Sequence, residues 1–384
     1  MKIIFYFILS SIFLIFLLRL ILSLKYFKKF NSFPKKTLDE TKYTIVQPIL
    51  SGDPRLEEDL RENLKNIEAM KFIWLIDKSD MEAQRISKEI LKEDLYAKRI
   101  KVLEIDDVPQ EINPKTFKLN FALNHIESEY TIILDDDSVI DTKYLHELAN
   151  YEDEEEYLAT GIAYNYGNKN IYSKLLAAFV NSNSFLTYFT MAELKENKSI
   201  NGMFYILRTG ILRKYNAFEE IKYYLCDDLA LASLMLEKDV KLIQTRIFCN
   251  VRTSIANFKK YILQMKRWLL FSKIYMMKNF SFKFFIFILL PTILPIIMLL
   301  SSVILGVNYL LLTALIFFVK SFIMYFYRYY ILKTGDELSS ILYEFLNDLI
   351  LPLIFVYTLT TAPVITWRNK KIRVLDGKIR YEQI

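Results

Sequence analysis

Apolar residues in this chain gather into three long blocks, and between the first and second lies a stretch with the short-range patterning of a soluble protein. From Ile3 to Leu24 the sequence runs apolar with Arg19 as its only charge. At 1.5 Å per helical residue that stretch covers a hydrocarbon core of roughly 30 Å. It leads straight into Lys25, Lys28 and Lys29, without the small residues of a cleavage site, so it reads as a retained anchor helix over 1–26 rather than a signal peptide. The second block, from about Phe284 to Tyr327, is long enough for two spans and has Gly306, Asn308 and Tyr309 at its midpoint, the pattern of a membrane hairpin. The third, Leu349 to Trp367, starts beside Asp348 and contains Pro352 and Pro363, which predicts a short or re-entrant segment.

Lysine and arginine flank each block: Lys25 to Lys36, Lys259 to Lys283, Arg328 with Lys333, and Arg368 to Arg373. The positive-inside rule puts all four groups in the cytoplasm. One full span cannot join Lys333 to Arg368 with both on the same side, so the last block is expected to turn back, giving membrane helices over 284–367 and a cytosolic tail over 368–384.

Between the anchors, over 41–257, short apolar runs alternate with stretches of helical period. Tyr43 to Leu50, Phe72 to Ile76, Ile100 to Ile105 and Tyr130 to Leu134 read as strands. Leu56 to Ile67, Met81 to Leu95 and Lys115 to His125 read as helices. This alternation predicts an α/β domain with a mostly parallel sheet and flanking helices. Ligands of such sheets sit beyond the carboxyl ends of the strands. Asp77, Asp80 and the run Asp135-Asp-Asp137 fall there.

Composition narrows the chemistry. The chain is 53% hydrophobic and 15% aromatic, with eight Gly and nine Pro, which excludes disordered and collagen-like classes. Two Cys and two His can build neither a disulfide framework nor a Cys/His zinc site, so any metal is held mainly by oxygen. A net charge of +6 from 50 basic and 44 acidic residues is too evenly spread for a nucleic-acid binder. The Lys-, Ile- and Phe-rich usage suggests a bacterial source and hence an inner membrane.

Three aspartates directly after Ile132-Ile-Leu134 place Asp135 and Asp137 on one side of an extended segment, where they can share Mg²⁺ or Mn²⁺. Such an ion bridges a nucleotide diphosphate and neutralises the leaving group. A solvated acidic turn is the alternative. Asp227-Asp228, ahead of the helical stretch Leu229 to Leu236, is either a helix-start device or a source of a general base. Glu152 to Glu156, with no apolar frame, reads as a solvated face. Gln264-Met-Lys-Arg267-Trp268 lies on an amphipathic stretch, 258–280, that suits the membrane surface; Arg267 can also clamp phosphate and Trp268 can stack on a sugar.

An Asp after an early strand, a DxD element, a later acidic pair and Q-x-x-R-W ahead of membrane helices together resemble the family-two-type inverting glycosyltransferases of the GT-A fold. More closely the chain resembles the ceramide glucosyltransferase group, through Ile112-Asn-Pro-Lys115 with Asn120, Asn201-Gly-Met203 with Leu207-Arg208, Cys226-Asp-Asp228, Gln264 to Trp268, and Ala362-Pro-Val-Ile-Thr-Trp-Arg368. The resemblance implies a sugar nucleotide donor such as UDP-glucose, a divalent cation, and a ceramide-like or diacylglycerol-like acceptor presented to a cytoplasmic catalytic domain. It implies donor contacts at Asp77 (with Asp80 as the alternative), Lys115, Asp135, Gln264, Arg267 and Trp268, and metal at Asp135 and Asp137. Acceptor contacts fall at Gly202, Met203, Asp227 and Trp268, and Asp228 is the base. The His-Pro element of the eukaryotic ceramide enzymes is replaced by Asn181-Ser-Asn-Ser-Phe185, and Asp227 stands where Glu is common, so the acceptor differs more readily than the reaction. A processive polysaccharide synthase shares Q-x-x-R-W but needs more membrane helices, and a membrane-anchored scaffold remains as the reading without catalysis.

Overall fold

The computed structural model describes residues 1–384 except 107, 155, 168, 334–336, 368, 369, 376 and 382–384; Arg368 of the tail signature and Glu155 of the acidic run therefore lie outside the described residues. The chain forms two compact units interleaved in sequence. One comprises Met1–Asn31, Asn165–Asn197 and Ile255–Pro363, the other Ser32–Tyr164, Lys198–Ser254 and Val364–Ile384.

The second unit is built on eight strands: β1 (Tyr43–Ile49), β2 (Lys71–Asp77), β3 (Ile100–Ile105), β4 (Tyr130–Leu134), β5 (Ser138–Ile140), β6 (Tyr157–Tyr164), β7 (Phe204–Arg208) and β8 (Lys241–Val251). Their order across the sheet is β3-β2-β1-β4-β7-β6-β8-β5. The four strands read from sequence form the parallel half, and β6 is parallel to β8; β7 runs against both β4 and β6, and β5 against β8. Residues of β4 are buried on both faces, as expected of a central parallel strand covered by helices on each side. The fold class is therefore the mixed α/β, mostly parallel arrangement that the alternation predicts.

Close approach at the sheet centre requires one glycine. A Cβ on Gly161 would lie 2.4 Å from the Phe204 ring and 2.7 Å from the Ile247 carbonyl oxygen. At this position the β6/β8 register also shifts, a bulge that only a residue without a side chain can make here. The helix expected over Met81 to Leu95 ends at Ile90 and restarts as Asp94–Ala97, because Lys92 N bonds the Glu89 carbonyl and tightens the last turn. The acidic run is at the surface but ion-paired: Glu152 with Lys42, Asp153 with Lys36, Glu154 with Lys241 and Glu156 with Lys214.

Among the described residues four helices, in the other unit, are long and apolar enough to cross a membrane: Lys2–Ser32, Phe282–Leu305, Val307–Leu332 and Ser339–Thr360. Gly306, at φ +104°, makes the turn of the hairpin. The last helix starts ten residues before the apolar block and runs through Pro352, ending ahead of Pro363. The β-branched Val364, Ile365 and Thr366 then form a strand. That strand, Val364–Trp367, pairs with Lys370–Leu375, which pairs with Lys378–Tyr381, and these three strands belong to the sheet unit.

Sequence patterning places 165–197 with the soluble domain, but helix Ile171–Glu193 belongs to the helical unit. Its Ser- and Asn-rich middle hides it from a hydropathy reading. Contacts to the anchor helix come from its threonines and backbone: Thr190 Oγ1 donates to the Arg19 carbonyl at 3.2 Å, Thr187 Oγ1 accepts from Arg19 Nη2 at 2.8 Å, and the Phe185 carbonyl accepts from Ser23 Oγ at 3.0 Å.

Candidate active site

The site grows from the carboxyl ends of β2 and β4 and from one helix that faces them. That helix, Pro114–Ala122, starts with Pro at its first position and is capped by Asn113, whose Oδ1 accepts from Lys115 N at 2.9 Å. Asn113 Nδ2 also donates to the Tyr224 carbonyl at 3.0 Å, tying the helix start to the segment ahead of Asp227. Lys115 and Lys118, three residues apart, share a helix face, and each meets a strand-end carboxylate. Lys118, fully buried, lies 2.8 Å from Asp77 Oδ2.

Lys115 Nζ lies 2.7 Å from Asp135 Oδ1 and 3.5 Å from Asp227 Oδ2, and donates to the Gly202 carbonyl at 2.8 Å. One ammonium thus joins the end of β4, the 201–203 turn and the first turn of helix Asp227–Glu237. Burial works against its charge, but Asp135 and Asp227 more than offset that and hold its pKa well above the ordinary lysine value.

Between β4 and β5 the three aspartates form a turn, closed by Ser138 N donating to the Asp135 carbonyl at 3.2 Å, not the extended segment that alternation implied. Asp136 Oδ2 accepts from Leu50 N at 2.7 Å. Asp137 Oδ2 accepts from Thr253 Oγ1 at 2.6 Å, and its backbone carbonyl accepts from Arg252 N at 2.8 Å. Burial, then the charge of Asp137, pushes the Asp136 carboxyl up to about 8. Burial, then the charge of Asp135, pushes Asp137 up to about 6.

Asp80 and Asp77 separate clearly. Both Asp80 oxygens accept backbone N–H groups, from Ala83 at 3.0 Å and Ser51 at 2.8 Å, so Asp80 caps helix Met81–Ile90. Those bonds hold its pKa below the ordinary value despite its partial burial. Asp77 keeps one oxygen, Oδ1, with no hydrogen-bond partner.

Neither Asp227 nor Asp228 is the cap of its helix; Cys226 holds that position. Asp228 Oδ1 accepts from Leu229 N at 2.7 Å and from the Cys226 thiol at 3.0 Å. Burial and the neighbouring Asp227 raise its pKa. A Cβ on Gly202 would come within 2.9 Å of both Asp228 Cβ and Oδ2, so glycine there gives the carboxylate its room. Met203 adjoins Asp135 through its carbonyl, which accepts from Asp135 N at 3.0 Å.

Sequence reasoning therefore named residues that the sheet unit brings together: Lys115, Asp135, Gly202, Met203, Asp227 and Asp228 around one ammonium, with Asp136 and Asp137 in the adjoining turn. It missed Lys118, which its spacing from Lys115 on one helix could have flagged. Thr253 carried no signal, because only the pairing of β5 with β8 brings it beside Asp137. Gln264, Arg267 and Trp268 occupy one face of helix Phe258–Lys278 in the helical unit, where Trp268 stacks on Phe179 with ring centroids 5.9 Å apart. Among the described residues no group of three or more His, Cys, Asp or Glu is gathered closely enough to hold a metal by itself.

The site thus sits on a curled, mostly parallel sheet with acidic side chains beyond its strand ends, carried on a chain with membrane-length helices. The chain belongs to glycosyl transferase family 21, the ceramide glucosyltransferase family, whose family model matches residues 5–380. Membership removes the scaffold reading. Among solved structures, the chain is similar to the mannosyltransferase PcManGT from Pyrobaculum calidifontis, determined in complex with GDP-Man and Mn²⁺. Identity is 12% and the TM-score 0.51, over 90% of this chain and 99% of that one. It is also similar to TarS of S. aureus, at 16% identity and TM-score 0.36, over 59% of this chain and 39% of that one. No curated protein sequence matches.

Gly202→Ala tests the site's packing. The added methyl must displace Asp228; if that carboxylate acts in catalysis, a shift near 1 Å costs on the order of 100-fold in rate. We expect a loss of sugar transfer of that size with the apparent Tm nearly unchanged; wild-type turnover would show that Asp228 needs no such room.

Proposed function

We propose that this protein is an inverting glycosyltransferase that moves a hexose from a nucleotide diphosphate sugar, UDP-glucose being the model donor, onto the hydroxyl of a membrane lipid. The observation that carries the reading is the Lys115 junction. It joins the DxD turn to the late acidic pair within one site, in a chain that also bears membrane-length helices.

In this reading Asp77, with its unpartnered oxygen, contacts the donor base, while Asp80 is committed to its helix. Lys115, Gln264, Arg267 and Trp268 bind the donor, the last also meeting the acceptor beside Gly202, Met203 and Asp227. Asp228 is the base. It takes the proton of the lipid hydroxyl as that oxygen attacks the anomeric carbon; the carbon–oxygen bond to the diphosphate breaks, and the nucleotide leaves with the electron pair. Inversion follows from the single in-line displacement, and no covalent enzyme intermediate forms.

The donor set suits a hard cation. Asp135 and Asp137 offer oxygen only, and burial first, then the charge of Asp135, disfavours the Asp137 carboxylate, a cost that a bound cation relieves. Two carboxylates are what Mg²⁺ or Mn²⁺ usually takes from protein when substrate phosphates complete its shell, which accords with the absence of a larger ligand cluster among the described residues. When bound, the ion would supply charge neutralisation at the departing diphosphate.

We also infer that the catalytic unit faces the cytoplasm, in a bacterium at the inner membrane, on the side of the lysine-rich flanks. The sheet unit receives the chain from the anchor at Ser32, releases it at Ser254 and takes it back at Val364. One folded body lies on one side of a bilayer, so the three apolar helices between Phe282 and Thr360 cannot all cross. Ser339–Thr360, the least apolar of the three, is the one that turns back.

Three measurements test the reading. Asp228→Asn should abolish transfer while nucleotide affinity stays within about threefold of wild type; a comparable loss of donor affinity would move Asp228 to the metal site. Asp137→Asn should weaken Mn²⁺-dependent nucleotide binding at least tenfold, and unchanged affinity counts against its role. Single cysteines at Asn308 and Thr361, probed with an impermeant maleimide on intact cells, should react at 308 and stay protected at 361. Reaction at both would make the last helix a full span.

A further inference from the structure

Within the helical unit a cavity of about 140 Å³ opens among helices Lys2–Lys29, Ile171–Glu193, Leu290–Leu305, Val307–Leu332 and Ser339–Thr360. Much of its wall is apolar, with Ile15, Phe16, Leu294 and Phe317 among the lining residues. Polar groups in such a place are costly and mark function. One set is self-sufficient: Lys320 Nζ lies 2.7 Å and 2.8 Å from the two oxygens of Asp348.

A second set is not. Arg19, Ser182 and Asn347 line the same cavity at 9%, 7% and 1% exposure, and Arg19 Nε, Ser182 Oγ and Asn347 Oδ1 have no hydrogen-bond partner. Arg19 keeps one bond, Nη2 to Thr187 Oγ1 at 2.8 Å, and no described carboxylate pairs with it. A polar group buried without a partner is costly, and hydrocarbon offers no replacement.

The three orphans specify their partner. Arginine Nε is a donor and needs an oxygen; the Asn347 carboxamide oxygen is an acceptor and needs an N–H or O–H; a serine hydroxyl takes either role. We propose that this cavity binds the linkage region of one membrane lipid that carries both a carbonyl oxygen and an N–H or O–H donor, with its hydrocarbon against the apolar wall. A phospholipid such as phosphatidylcholine supplies oxygens but no donor, so it satisfies only part of the set.

Native mass spectrometry of the detergent-solubilised full chain, without donor, tests binding directly with ceramide, diacylglycerol and phosphatidylcholine as probes. We expect one equivalent of ceramide or diacylglycerol to be retained in preference to phosphatidylcholine. Retention should fall at least tenfold in Asn347→Leu and by a smaller factor in Ser182→Ala, with unchanged elution volume showing that the variants fold. Equal retention by wild type and Asn347→Leu, equal retention of all three lipids, or a cavity that holds water only would overturn the proposal.

Discussion

Everything at the catalytic end of the sheet depends on placing several carboxylates together without letting them drive one another apart. Two like charges 4 Å apart repel by about 4 kcal/mol at an effective dielectric of 20, and this region holds Asp135, Asp136, Asp137, Asp227 and Asp228. The protein meets the problem with two ammonium groups on one short helix. Lys115 lies between Asp135 and Asp227, and Lys118 neutralises Asp77 one turn further along. Backbone N–H groups of Leu50 and Leu229 and the hydroxyl of Thr253 take up part of what remains. At the DxD turn burial, and after it the charge of neighbouring aspartates, raises the pKa values of Asp136 and Asp137.

The helical unit handles polarity by the opposite means. Pairs such as Lys320 with Asp348 and the buried Arg328 with Glu344 cancel charge locally, and Thr187 and Thr190 on helix Ile171–Glu193 bond to the anchor helix instead of to water. A hydropathy reading treats those residues as soluble, although they are the surface on which the anchor helix packs. Where the cancellation stops, around Arg19, Ser182 and Asn347, the unit leaves a shaped demand for hydrogen bonds.

Much of this was legible from the amino-acid order. The parallel strands β1 to β4 announced themselves as compact apolar runs, and chemistry fell where parallel sheets place it, at Asp77 and Asp135. The antiparallel strands β6 and β7 and the long β8 were missed, since their apolar runs are framed by charged surface residues and their partners are distant in sequence. Alternation within Asp135 to Asp137 misled, because a strand's two-residue period ends with the strand and the next residues turn. The pairing of Lys115 with both acidic elements could not be read at all. It depends on Asn113 tying the helix start to Tyr224, a contact between segments more than a hundred residues apart.

The strands after the last helix reach back to this same place. Leu225 N donates to the Gly377 carbonyl, and Ile379 N to the Tyr223 carbonyl, so the residues just ahead of Asp227 are held by backbone from the end of the chain. During synthesis the anchor helix and then the sheet's eight strands leave the ribosome first, the three later membrane-length helices follow, and only afterwards come the strands that clamp Tyr223 to Leu225. The acidic pair therefore reaches its final setting last, after the protein is already in the bilayer, and a nascent chain stalled before residue 364 lacks the clamp.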